Sequence, residues 1–169
     1  MIAPSMTTTL EKRKQFVEIA QSLAREREGF FAIKGPGVGD RDTIDFMAEL
    51  RRRAFSTFGT DHTERKICGA NNLCIDFYFP EDATIVEIAL GLRNPSSEFE
   101  RDILKALMAT EAGYDVGRLV FISKPGALKR LGQPGARAIA LWAEKKHGSK
   151  VVVHELENPK GPQDSSEQQ

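Results

Sequence analysis

Asp76 and Glu87 lie in an apolar stretch, LCIDFYFPEDATIVEIAL, at residues 73–90. Runs rich in β-branched and aromatic residues predict two strands, Leu73 to Phe79 and Thr84 to Leu90. Between them Pro80 fixes φ and Glu81 and Asp82 can bond their own backbone, which predicts a turn. Side chains alternate faces along a strand, so Cys74, Asp76 and Tyr78 share one face, as do Ile85, Glu87 and Ala89 on the return. If Phe79 pairs with Thr84, Asp76 stands directly across from Glu87. Like charges so placed repel, with Cβ atoms roughly 4.5–5.5 Å apart. Both acids have apolar neighbours, among which an unpaired charge is costly. A divalent cation removes the conflict, because hard cations prefer carboxylate oxygens. The competing reading puts the acids on a solvated face. Cys74, Ile85 and Ala89 weigh against it, since they are not residues of a solvent face. A slip of one residue would separate the acids onto opposite faces.

The elements that must position this pair follow from periodicity and punctuation. Thr9 to about Glu28 and Asp42 to about Phe58 predict amphipathic helices. The second buries Ile44, Phe46, Met47, Leu50, Ala54, Phe55 and Phe58 and carries Arg51-Arg52-Arg53 on solvated faces. Phe30 to Ile33 is a strand or a packing segment. The glycine-rich Lys34 to Asp40 lacks the Gly-Lys-Ser/Thr ending of a phosphate loop and reads as a connection. Thr63 to Cys68 predicts a strand, and the chain breaks at Asn94-Pro95. Ser97 with Glu100 forms a capping box opening a helix to about Thr110. That helix packs through Phe99, Ile103, Ala106 and Leu107, and its second stripe is Glu98, Arg101, Asp102 and Lys105. Arg118 to Ser123 is a buried strand, reached by a parallel crossover. Helices near Gly126–Leu131 and Pro134–Lys146 and a strand at Lys150–Glu155 complete the chain, with Trp142 in the core. The resulting class is α/β (α+β), a mixed central sheet with an antiparallel hairpin, one parallel crossover and helices on both faces. One domain spans 9–157, between disordered ends at 1–8 and 158–169.

Composition narrows the function classes. The 169 residues carry 24 basic and 24 acidic side chains, so the chain is not a generally basic nucleic-acid binder. From His154 onward four acids oppose one lysine, which leaves the preceding body at +3. No apolar run reaches membrane-spanning length, and the N-terminus lacks an apolar leader core, so no membrane association and a cytoplasmic location are expected. Cys68 and Cys74 match no zinc spacing and read as free thiols. His62, His147 and His154 lack ligand spacing and read as surface residues.

The segments IDFYFPEDATIVEIALGL and SEFERDILKALMATEAGYDVGRLVFISK resemble the PD-(D/E)xK nuclease superfamily, in particular type II restriction endonuclease-like cores. The resemblance covers about half the chain, residues 42–123. It implies a restriction endonuclease-like fold and Mg2+- or Mn2+-dependent hydrolysis of DNA phosphodiesters. It implies Asp76 and Glu87 as metal ligands, with the Ile88 backbone carbonyl completing the set. It also implies a homodimer, as such cores cut both strands of a duplex. The pattern departs at Ala89, where the family has a lysine that orients the attacking water or stabilises transition-state charge. Lys105 is the first substitute and Lys66 the second, and Glu49 is a candidate third carboxylate. Ala89 also favours an alternative, a catalytically inactive nuclease-fold domain serving as a DNA-binding or protein-interaction module.

Overall fold

The structure, a computed structural model, describes residues 9–32, 39–92 and 97–160. The expected disordered end at 1–8, the glycine-rich 34–38, the break at Asn94-Pro95 and the tail from 161 lie outside the described residues.

Two helices, α1 (Thr9–Glu26) and α2 (Gly39–Phe58), precede a five-stranded sheet in the order β1-β2-β3-β4-β5. The strands are β1 (Thr63–Arg65), β2 (Ile75–Phe79), β3 (Thr84–Ile88), β4 (Arg118–Ser123) and β5 (Lys150–Glu155). Helix α3 (Glu98–Glu111) connects β3 to β4. A short α4 (Ala127–Leu131) and α5 (Pro134–His147) connect β4 to β5. The first three strands are antiparallel, and β3, β4 and β5 run parallel. The sheet is therefore mixed, as expected, but it has two parallel crossovers rather than one. KVVVHE adds to the edge of β4 because α5 returns the chain along the sheet before it.

Strand alternation divides the core. On one face Phe77, Phe79, Val86, Val120 and Ile122 pack with Phe16 of α1 and Phe46 of α2. On the other, Ile85, Leu119 and Phe121 pack with Phe99 and Ile103 of α3 and the small Ala136 and Ala143 of α5. The ring of Phe16 lies 4.5 Å from that of Phe77 and 5.3 Å from that of Phe79, so one helical side chain staples α1 to β2.

The hairpin adopts the pairing that parity predicts: Phe77 with Val86, Tyr78 with Ile85, and Phe79 with Thr84. Its turn is a 3-10 turn at Pro80–Asp82 closed by Ala83 in the left-handed region, at φ 49°. That conformation is unusual for alanine. The Ala83 carbonyl accepts from both Gly117 N–H (2.8 Å) and Arg118 N–H (3.1 Å), which ties the turn to the start of β4.

Several expectations fail for reasons of tertiary placement. Ile44 and Phe55 are 66% and 57% exposed rather than buried, because α2 meets the sheet through Phe46, Leu50 and Ala54. Trp142 is 45% exposed, since α5 presents its alanines inward and the indole meets His147 instead. His62 is buried, not on the surface. Its carbonyl accepts from Tyr78 N–H, its Nδ1 lies 3.0 Å from the Tyr78 carbonyl, and its ring packs on Phe79. The strand at 63–68 stops at Arg65. Ser97 does precede the first residue of α3 but makes no side-chain capping bond, and the Glu100 carboxylate lies 3.8 Å from Arg130.

Phe77→Ala should cost about 3–5 kcal/mol of unfolding free energy, because it empties the stapled face of the sheet. Ile44→Ala should cost about 0.5 kcal/mol or less. Urea denaturation of the two variants checks the contrast.

Candidate functional site

The regular β2–β3 pairing ends at Phe77 and Val86, and beyond it carboxylates take over from main-chain acceptors. Ile88 N–H donates to Asp76 Oδ2 at 2.8 Å, and Asp76 N–H donates to Glu87 Oε2 at 3.3 Å. Each acid thus binds a backbone donor beside the other, one residue beyond the last paired positions, Phe77 and Val86. This uses one oxygen of each carboxylate, and the second oxygen of Glu87, Oε1, meets the Lys105 ammonium.

The cleft has a volume of about 380 Å³. Asp76, Glu87 and Ile88 of the hairpin form its floor. On one side α3 supplies Glu98, Arg101, Asp102 and Lys105, the stripe that the sequence sets apart from the packing stripe. On the other, α2 supplies Thr43, Met47 and Arg51. Lys105 is buried among them. Its Nζ lies 2.8 Å from Glu87 Oε1 and 2.8 Å from Asp102 Oδ1, and it donates to the Cys74 carbonyl at 2.9 Å. Glu87 and Asp102 are each 3% exposed and Lys105 is 7% exposed, so this charge cluster is almost fully withdrawn from water.

Four carboxyl side chains share the cleft with three cationic ones, and Arg51 is also engaged at the rim by Glu64, 2.8 Å away. The cluster is short of positive charge, and its pKa values register this. Burial, followed by the charges of Asp76 and Asp102, pushes Glu87 up to about 9 against the pull of Lys105. Burial also raises Asp102, opposed by its contact with Lys105, and raises Glu98, assisted by the Asp102 charge. Burial opposes the Lys105 ammonium, but the Glu87 charge and the contacts with Asp102 and Glu87 outweigh it and lift its pKa.

The donor set suits a hard divalent cation of the magnesium type. Such a cation is held by one or two carboxylates and keeps several waters. Glu87 Oε1 and Asp102 Oδ1 are buried and form no well-directed hydrogen bond, although each lies close to the Lys105 ammonium. Among the described residues no three Asp, Glu, His or Cys side chains are gathered into a metal-holding group.

The structure thus brings Asp76, Glu87, Ile88 and Lys105 to one place. It leaves the other candidates elsewhere. Lys66 is exposed and lies just past the end of β1. Glu49 faces away from the cleft, bonded to Arg52 and Arg53, which hold its carboxyl down at about 2. Ala89 is buried, with its N–H donated to the Ile122 carbonyl. The α2 wall is what sequence reasoning missed. Thr43, Met47 and Arg51 recur every four residues, a signal hidden by the arginine triplet. No family model, curated protein or solved structure matches this chain.

Linkage sets the sign of the pH response. Glu87 takes up its proton near 4.5 when unfolded and near 9 when folded, so the folded state binds more protons between these values. Its contribution therefore favours the folded state below pH 4.5 and is lost as the pH rises towards 9. The unfolding free energy of wild type should fall relative to that of Glu87→Gln between pH 5 and 9, as measured by urea denaturation across that range. A flat difference would contradict the raised pKa.

Proposed function

We propose that the cleft is a metal-dependent phosphodiesterase site acting on DNA, with the division of labour seen in PD-(D/E)xK nucleases. The observation that carries this reading is the convergence of three side chains: Asp76 and Glu87 across one hairpin, and the Lys105 ammonium 2.8 Å from Glu87. In this reading Lys105, delivered by α3, serves in place of the lysine that is absent at Ala89.

Asp76 and Glu87, with the Ile88 carbonyl, are the residues that hold Mg2+ or Mn2+ in this reading. When bound, such an ion polarises a phosphoryl oxygen, lowers the pKa of a coordinated water and stabilises the leaving oxygen. Asp76 is oriented for this by Ile88 N–H, and Glu87 by Asp76 N–H. Glu87 gives up its proton on binding, so affinity rises with pH towards 9. Lys105 supplies a fixed positive charge beside the phosphate, where excess negative charge develops. Burial strengthens that electrostatic contact by excluding water. Arg51 and Arg101 at the cleft walls offer cationic contacts to the DNA backbone. Two copies of the chain, each with one site, suit cleavage of both strands. No helix among the described residues is long and apolar enough to cross a membrane, and we propose a cytoplasmic site of action.

A second reading, a nuclease-fold domain that binds DNA or protein without catalysis, draws on one observation. Lys105 already compensates part of the charge on Glu87 and Asp102, as a purely structural ion cluster would.

Calorimetric titration with Mn2+ should show one site that disappears in Asp76→Ala and Glu87→Ala. Plasmid nicking in Mg2+ should fall about 10²- to 10³-fold in Lys105→Ala, with Mn2+ binding retained. Metal binding without cleavage of supercoiled, linear or single-stranded DNA would select the second reading. A wild-type protein that binds no divalent cation would sink the enzyme.

A further inference from the structure

The placement of Lys105 raises a question of holding. Its side chain arises from a helix, not from the strand that carries Glu87, and it must cross the cleft to serve there. A lysine has four rotatable bonds, and a charge on so flexible a stem keeps a functional position only if something fixes it. Glu87 by itself is a poor anchor. Any cation bound by Glu87 competes for the same oxygen, Oε1, that faces the ammonium.

Asp102 does not have that conflict. It lies one turn before Lys105 on the same face of α3, the spacing at which helical side chains meet. It is 3% exposed, and its Oδ1 lies 2.8 Å from Nζ. Its other cationic neighbour, Arg101, is 3.9 Å away and its side chain is 60% exposed to water. The Asp102 carboxylate therefore has one close buried partner, Lys105. The Cys74 carbonyl, 2.9 Å from Nζ, fixes the ammonium from the β2 side.

We infer that Asp102 is the positioning residue for Lys105, holding the ammonium at the cleft independently of Glu87. This deepens the reading above and rests on it for its catalytic meaning, while the contact itself is a property of the metal-free chain. Asp102 touches neither substrate nor reacting atoms in this scheme. It acts through Lys105, and it lets Glu87 change partners without releasing the cation that belongs beside it.

The test is a brief acetic anhydride pulse on the metal-free protein, with peptide mass mapping of Lys105 against exposed Lys129 and Lys145. Wild-type Lys105 should react slowly. Glu87→Gln, which replaces the other carboxyl group facing the ammonium, should keep most of that protection. Asp102→Asn should raise Lys105 modification about tenfold, the equivalent of one pKa unit in ion-pair strength, and Asp102→Glu should restore much of it. Amide hydrogen exchange across β4 and β5 reports general loosening. If those strands lose protection in parallel with Lys105 in Asp102→Asn, Asp102 is merely structural and the inference falls. It also falls if Asp102→Asn leaves Lys105 protected, or if Glu87→Gln exposes Lys105 as fully as Asp102→Asn does. Should Asp102→Asn fold poorly, a double-mutant cycle with Lys105→Met decides. Asp102→Asn should then shift the melting temperature little in the Lys105→Met background, and an equal shift in both backgrounds would show that Asp102 does not act through Lys105. None of these measurements requires metal, so a failure to bind Mn2+ would remove the proposed function without touching this result.

Discussion

The organisation of this protein depends on one awkward act of burial: a glutamate carboxyl, Glu87, placed on the central strand pair of a hydrophobic sheet. A charged group so far from water is tolerated only with compensation. The protein supplies it from three directions. Asp76 N–H bonds one oxygen from across the hairpin, the Lys105 ammonium approaches the other from α3, and a raised pKa lets the carboxyl keep its proton. The compensation is incomplete, since Asp76 and Asp102 add negative charge to the same cleft. A core built for stability alone would place an apolar side chain at this position.

The surrounding architecture follows from the same point. Main-chain pairing between β2 and β3 is regular from Phe79 back to Phe77, where packed aromatics line the α1–α2 face. It gives way where the two acids intervene, and α2 and α3 leave a cleft there instead of closing over the sheet. Paired backbone therefore borders the opening directly.

Helix α3 carries two messages in one sequence. Phe99, Ile103, Ala106 and Leu107 fix it to the sheet, while Glu98, Arg101, Asp102 and Lys105 face the cleft. A helix held so firmly can deliver a side chain with strand-like precision. It brings Lys105 to Glu87 from outside the hairpin, while Ala89 on the strand is a packing residue.

Much of the site was legible in the sequence because it rests on local rules. Strand parity and the Pro80–Ala83 turn determine that Asp76 faces Glu87, and helical spacing determines that Asp102 and Lys105 share a stripe. Those relations involve residues close in the chain, and backbone geometry enforces them. What only the tertiary structure decided is which surfaces meet. Lys105, Lys66 and Glu49 were all compatible with the acids by type, and only packing of α3 on the sheet brings Lys105 in while leaving Lys66 in solvent and Glu49 among arginines. The burial of His62, the exposure of Trp142, Ile44 and Phe55, and the cleft wall formed by Arg51 belong to the same category. Each depends on contacts between segments far apart in the chain, and periodicity states that a face is apolar or charged without stating what lies opposite it.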